Sequence, residues 1–322
     1  MAVSYTHLDV YKRQPTHLPC HSEAAKVKMI MKETARGAPQ GRREEPLMGR
    51  VEGKVAFVTG AARGQGRSHA LRLAQEGADI VAIDVCSQVD SVRYPMATPD
   101  DLKETVAEVE ALDRRIIAAE ADVRDYAQLS SVLNDAVGAL GRLDIVCANA
   151  GIYSQGMLTD MPEETWRDMI DVNLTGVWHT CKAATPHLVA AGGGSMILTS
   201  SAMGLKAAPN IGHYTAAKHG VVGLMRSLAL ELAPQMIRVN SVHPTGVDTK
   251  MIQNESLYRM MAPGVEHPTR EDMAPVLQSL NALPIPWVDP IDISNAVLFL
   301  ASDEARYVTG VAFPIDAGMT IK

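Results

Sequence analysis

From residue 54 onward the chain alternates short runs of Val, Ile, Ala and Leu with longer stretches whose apolar residues recur every three or four positions. A short run that is apolar throughout suits a strand covered on both faces, and the amphipathic stretches supply the helices that cover it. Repeated strand-helix succession packs well as a parallel sheet with helices on both sides. The pattern predicts strands at 54–59, 79–84, 115–119, 143–147, 195–199, 236–241 and 311–315. Helices are expected at 66–76, 100–112, 126–140, 163–190, 213–232 and 291–300. The fold class is therefore α/β, a doubly wound parallel seven-stranded sheet in one domain spanning 50–322. Two insertions break the rhythm. Residues 86–99, with Tyr94 and Pro95, follow the second strand, and residues 251–290 follow the sixth. The later one carries Met251, Ile252, Leu257, Met260, Met261 and Leu277, enough apolar surface to pack as a helical lid over a substrate.

The first apolar run leads into Thr59, Gly60, Ala61, Ala62, Arg63, Gly64, Gln65 and Gly66. Glycines at 60, 64 and 66 let the backbone turn tightly and approach a pyrophosphate, whose charge meets the free N–H groups and positive dipole end of the next helix. This is a Rossmann-type arrangement. Asp84 closes the second strand, 24 residues past Gly60, where a carboxylate binds both ribose hydroxyls and repels a 2′-phosphate. Asp84 therefore argues for NAD. The insertion at 86–99 falls beside the adenosine half of such a cofactor, and Tyr94 and Pro95 are placed to close over it.

Tyr214 and Lys218 are four residues apart, so on a helix their side chains leave the same face one turn apart. A phenol titrates near pH 10 when unperturbed, and a nearby ammonium favours its ionised form. Ser201 ends the strand-like run from Ser195, where a hydroxyl can hold a substrate oxygen beside the phenol. Ser200 competes for that role, but the spacing to Tyr214 favours Ser201. His213 faces away from its neighbour Tyr214 and is expected to be a pocket wall or a surface residue; His179, His187 and His219 are expected to be structural.

Taken together these motifs resemble the short-chain dehydrogenase/reductase family from about residue 51 to the end. Gly60, Gly64 and Gly66 match its glycine loop, and Asn149, Ala150 and Gly151 match its Asn-Ala-Gly motif. Asn173, Ser201, Tyr214 and Lys218 fall on the family's catalytic tetrad. The phrasing at 64–70, 111–115 and 300–310 is similar to the carveol-dehydrogenase-like branch, which implies an NAD that hardly leaves the protein and a mycofactocin-type electron acceptor. By family position, Asp122 and Val123 contact adenine, and Asp122 also stands where a helix cap is expected, the two roles being compatible. Gln65 and Val85 complete the cofactor contacts, and Val247 backbone and the Thr249 hydroxyl meet the nicotinamide end. Thr245 stands where the family usually has glycine. Arg63 pulls the other way from Asp84, since a basic residue there binds the NADP phosphate in related enzymes. Asp84 weighs more, because burying a carboxylate beside a phosphate is costly. The resemblance also implies that Asn173 holds a water linking Lys218 to solvent, and that the assembly is a homotetramer. The expected reaction interconverts a small apolar secondary alcohol, such as a cyclic terpenoid alcohol, and its ketone. The alternatives are an NADP-dependent ketoacyl or steroid ketone reductase, and a non-catalytic NAD-binding redox sensor.

Charge and cysteine usage narrow the setting. Residues 50–322 carry 22 basic and 32 acidic side chains, with none of the clustered Lys/Arg that phosphate backbones require, so nucleic acid is not an expected partner. No apolar run approaches the roughly 20 residues of a membrane helix. Cys20, Cys86, Cys147 and Cys181 lack Cys-x-x-Cys spacing, so neither a zinc site nor a disulfide frame is expected, which fits a cytoplasmic protein without metal. The leader at 1–49 is different: eight basic against five acidic residues, weakly patterned. Met48 reads as a natural start, and residues 1–47 are expected to be disordered or spurious.

Overall fold

In the computed structural model, residues 49–262 and 264–322 are described; the expectation for residues 1–47 lies outside them. All seven predicted runs are strands: β1 (Val55–Thr59), β2 (Asp79–Asp84), β3 (Ile116–Glu120), β4 (Ile145–Ala148), β5 (Gly194–Thr199), β6 (Ile237–Pro244) and β7 (Ala312–Ile315). They form one sheet in the order β3-β2-β1-β4-β5-β6-β7, and every neighbouring pair is parallel. Because side chains alternate along a strand, each strand feeds two cores. Phe57, Val81 and Ile83 point to one side, where they join Leu133, Leu188 and Val221. Ala56, Val58, Ile80 and Ala82 point to the other and meet Leu73, Val109 and Leu298.

Among the described residues the helices are α1 (Gly64–Gln75), α2 (Pro99–Glu110), α3 (Tyr126–Leu140), α4 (Glu163–Ile170), α5 (Gly176–Ala190), α6 (Gly212–Glu231), α7 (Glu255–Met261), α8 (Arg270–Leu280) and α9 (Pro290–Ala301). The single helix expected at 163–190 is interrupted by a π turn, Asp171–Thr175. The widened turn carries Asn173 inward, where it is fully buried. Its amide oxygen accepts the Ile152 N–H and its amide nitrogen donates to the Ile152 carbonyl, each at 2.8 Å. That long-range demand overrides the helical period.

Both insertions are ordered by local bonds. In the first, the Gln88 amide nitrogen donates to the Val92 carbonyl at 2.8 Å while its oxygen accepts the Met96 N–H at 3.1 Å. Val89, Val92 and Tyr94 of the same insertion bury their side chains, which makes the segment a strap packed on the domain. In the second, Asn254 caps α7 and Thr269 opens α8 with a capping box to Asp272. Leu257, Tyr258, Met273 and Leu277 form the shared core of α7 and α8.

Candidate active site

The sheet reverses its strand order between β1 and β4, and a ligand crevice is expected beyond their carboxyl ends. A groove of about 600 Å³ lies there. Gly60 enters it with φ +68°, and a side chain at Gly66 would place Cβ 1.9 Å from the Gly60 carbonyl oxygen, so α1 packs directly on the turn. Unlike α2 and α3, whose first turns are capped by Thr98 and Asp125, α1 has no side-chain cap. Its first turn opens on the groove. Among the described residues, Gln65 Oε1 and Arg63 Nη1 are buried there without a partner. Free backbone donors, a positive helix end and the unpaired Arg63 Nη1 fit a dinucleotide pyrophosphate.

Asp84 and Val85 line the same groove. The Asp84 carboxylate accepts the Ala62 N–H at 3.0 Å and the Cys86 N–H at 3.3 Å. Burial pushes its pKa up, while those two bonds and the Arg63 guanidinium pull it back. Arg63 donates to the Pro95 carbonyl and so ties the glycine loop to the strap. Asp122 and Val123 also line the groove. Asp122 is not a helix cap: it holds Arg124, whose Nε lies 2.9 Å away, and Asp125 caps α3 by accepting the Gln128 N–H at 3.0 Å.

Ala150 and Gly151 line the groove, but the Asn149 amide is engaged elsewhere: its Nδ2 donates to the Thr59 carbonyl at 3.0 Å. The backbone N–H groups of Asn149 and Ala150 both donate to Thr59 Oγ1 at 3.0 Å. Asn149 thus clamps the ends of β1 and β4 together. Thr249 lies against the glycine loop, its methyl 3.3 Å from where a Gly64 Cβ would stand. Val247 is buried and bridges Val288, outside the groove lining. Thr245, in place of glycine, donates to Asn281 at 2.9 Å and anchors the end of α8.

The four tetrad positions converge at the same edge of the sheet. Lys218 is 3% exposed, donates from Nζ to the Thr199 carbonyl at 2.8 Å and lies 5.7 Å from the Tyr214 ring centroid. A Cβ on Gly151 would lie 3.3 Å from Asn173 Oδ1 and 3.7 Å from Lys218 Nζ, so these two groups flank one spot. Burial lowers Lys218 to about 8. The expected depression of Tyr214 is not what this arrangement produces: burial pushes the phenol up, and a hydrogen bond with Ser201 only partly offsets it. The Lys218 amine is turned to a carbonyl rather than to the phenol. The Asn173 amide bonds Ile152 through both of its polar atoms and Met169 Sδ through its nitrogen at 3.0 Å, which leaves one lone pair of its oxygen uncommitted. Ser200 donates to the Lys218 carbonyl at 2.9 Å, which removes it as a competitor of Ser201.

Residues the sequence reading passed over complete the site. Tyr153 stands edge-on to Tyr214 with ring centroids 5.3 Å apart, and its N–H donates to the Tyr94 hydroxyl oxygen at 3.3 Å. His243 bridges the Ser201 carbonyl and Ser241 Oγ, each at 2.8 Å, and burial lowers it to about 4, so a neutral ring holds the end of β5. His213 is not at the surface but fully buried, 2.8 Å from Ser154 Oγ. Tyr153 and Ser154 lie two and three residues past the Asn-Ala-Gly motif, a position that flags them. Trp287 lies under the Arg270 guanidinium at 4.3 Å. His179, His187 and His219 each bond a backbone carbonyl or Asn134, in keeping with structural roles.

A parallel sheet with an anion-ready glycine loop, an acid at the end of β2 and a buried Tyr-Lys pair beside a serine defines a nicotinamide-dependent oxidoreductase. A family model described as short chain dehydrogenase matches residues 54–259, and the chain belongs to that family. It is 60% identical over 277 residues to (-)-trans-carveol dehydrogenase of Rhodococcus erythropolis, covering 85% of this chain and all of the relative. Carveol dehydrogenase from Mycobacterium avium, crystallised in complex with NAD, superposes with a TM-score of 0.84 at 59% identity, covering 85% of this chain and 100% of that one. A short chain dehydrogenase from Mycobacterium paratuberculosis, bound to NAD, gives a TM-score of 0.78 at 46% identity with the same coverage. Among the described residues no helix is long and apolar enough to cross a membrane.

Proposed function

We propose that this NAD-dependent alcohol dehydrogenase interconverts a small, largely apolar cyclic secondary alcohol and its ketone. The observation that carries the reading is the buried Tyr214-Lys218 pair on one face of α6, with Ser201 bonded to Tyr214 and Lys218 Nζ against Gly151, which lines a groove suited to a dinucleotide. The apolar core of α7 and α8 packs against Tyr153, which supports a lid role for that insertion and an apolar substrate body. The likeness to carveol dehydrogenases supports a cyclic alcohol of terpenoid size.

NAD bound in the groove supplies the hydride acceptor for the alcohol and the donor for the ketone. The chain's own residues then manage position and protons. Ser201 holds the substrate oxygen. Tyr214 as phenolate takes the alcohol proton in oxidation, and as phenol gives one to the ketone oxygen in reduction; burial works against the phenolate, so oxidation depends on the Lys218 charge to offset it. Lys218, lowered to about 8 by burial and still an ammonium at neutral pH, stabilises negative charge on the phenol oxygen. Asn173 keeps the loop after β4 in place through Ile152, and Asp84 receives the ribose hydroxyls. Ties from the strap, Arg63 to Pro95 and Tyr153 to Tyr94, favour slow release of the dinucleotide. A dinucleotide held in this way would call for an external electron acceptor of mycofactocin type, and the expected setting is a cytoplasmic homotetramer.

The test is mass spectrometry of the purified protein for copurifying NAD, followed by a panel of secondary alcohols with an artificial electron acceptor. Cyclic alcohols should be oxidised and primary straight-chain alcohols should not. Copurifying NADP, or no turnover of any cyclic alcohol, refutes the reading.

A further inference from the structure

A substrate oxygen held between Ser201 and Tyr214 brings its carbon body against the apolar side chains that border those two residues. They come from three separate segments. Ser201 Oγ accepts the Met203 N–H at 3.1 Å, which sets Met203 in the short turn beside the reacting hydroxyl. Ile211 precedes α6, three residues before Tyr214. Ala202, Met203 and Ile211 form a small buried cluster, and Tyr153, Tyr214 and Met319 pack on it while staying only partly covered. None of Ala202, Met203, Ile211 and Met319 lines the dinucleotide groove, so this face is left for the substrate.

Met319 reaches the cluster from the turn after β7, whose backbone is tied on every side. The Asp316 carboxylate accepts the Gly318 N–H at 3.0 Å, the Thr320 N–H at 2.8 Å and the Thr320 hydroxyl at 2.6 Å. Lys206, from the loop that carries Met203, donates to the Met319 carbonyl at 3.0 Å. Thr245 Oγ1 stands 3.3 Å from Met319 Sδ. The turn also fastens the end of the lid. Its Ala317 carbonyl accepts the Ala282 and Leu283 N–H groups at 2.9 Å each, and Lys322 Nζ donates to the Ser279 and Asn281 carbonyls. A Cβ on Gly318, where φ is +76°, would come within 2.7 Å of Ala282 Cβ, so turn and lid are in close contact. These bonds hold the backbone, and the Met319 thioether is presented from a fixed support.

We infer that Met319 is a specificity-determining residue: its side chain is a wall against which the substrate ring rests, and it limits the ring size that fits beside Tyr214. Lys206 is a positioning residue that keeps this wall in place. The inference rests on the proposed oxidoreductase site and gives it a second apolar boundary besides the lid.

The experiment measures kcat/KM for cyclopentanol, cyclohexanol and cyclooctanol on the NAD-loaded protein with an artificial electron acceptor. Met319→Ala should raise cyclooctanol relative to cyclohexanol by about tenfold, mostly through KM, since one methylene in an apolar pocket is worth about 10–200-fold. Met319→Trp should move the ratio the other way, and Met319→Leu, close in volume, should leave it within about threefold. Lys206→Met, which frees the Met319 carbonyl, should flatten the profile across the three rings. Bound NAD, weighed by mass spectrometry, should stay at the wild-type level in all four variants, because Met319 and Lys206 do not border the groove. A ratio that is unmoved by Met319→Ala and Met319→Trp, or that moves the same way in both, overturns the inference. Calorimetric binding of cyclohexanol and cyclooctanol to the NAD-loaded proteins separates it from the reading beneath it. A size preference in binding that shifts with Met319, without turnover, sinks the oxidoreductase reading and upholds the wall; turnover with an unmoved preference does the reverse.

Discussion

Replacing Asp84 by Asn removes one charge from the end of β2 while keeping an oxygen to accept a backbone N–H. The wild-type carboxylate is 9% exposed and receives the Ala62 and Cys86 N–H groups, so it is a fixed negative charge in the groove wall. A 2′-phosphate held about 5 Å from it, at an effective dielectric of about 20, meets roughly 3 kcal/mol of repulsion per unit charge. That corresponds to a discrimination of about two hundredfold against NADP. The assay is calorimetric titration of dinucleotide-free protein with NAD and with NADP. Wild type should favour NAD by about a hundredfold or more, and Asp84→Asn should narrow the ratio to within about tenfold, chiefly by improving NADP. The variant also leaves one N–H facing an amide NH₂, at a cost in stability of about 1–3 kcal/mol. If wild type binds NADP within tenfold of NAD, or if the variant leaves the ratio unchanged, Asp84 is not the selector.

Tyr214→Phe should lower turnover by about 10²–10⁴ while NAD binding, read by calorimetry, stays near wild type; turnover within tenfold of wild type would remove Tyr214 from the proton transfer. Lys218 provides a stability test with a definite sign. Its folded value, about 8, lies below the ordinary 10.5, so below pH 8 both states hold the proton and the cost of the buried ammonium is fully present. Between pH 8 and 10.5 the unfolded chain holds a proton that the native state has shed, and stability should rise by about 3 kcal/mol. In denaturant titrations the stability of wild type relative to Lys218→Met should grow by that amount across the window, since the buried thiols Cys86, Cys147 and Cys181, raised to about 12, lower both proteins alike. Arg270→Ala removes both the 2.8 Å bond to Asp248 and the stacking on Trp287. It should cost about 1 kcal/mol or less globally, because Arg270 is partly exposed, yet raise amide exchange along α8; unchanged exchange would show that α8 is held by its apolar contacts alone.

How much of this was legible beforehand depended on the range of the interaction involved. The limits of α3 coincide with the predicted 126–140, because Asp125 caps it and Gly141 ends it with φ 90°, both local signals. The break in the 163–190 helix was invisible, because Asn173 answers to Ile152, 21 residues away. Asp122 and Asp125 look alike as caps in sequence, and Arg124 decides between them by engaging Asp122. His213 was placed at a wall or the surface from its helical direction alone, and the loop carrying Ser154 folds over it.

What the amino-acid order determined unaided was whatever has a short period: strand and helix alternation, the glycine turn, the acid ending β2 and the one-turn spacing of Tyr214 and Lys218. These follow from backbone geometry and need no distant partner. Tertiary structure alone decided which polar atoms remain free and which way each group titrates. Packing removes water from Tyr214 and Lys218, turns the Lys218 amine to Thr199 and commits the amides of Asn149 and Asn173 to backbone partners. Desolvation and hydrogen-bond pairing depend on everything that surrounds an atom, and those surroundings come from segments far apart along the chain.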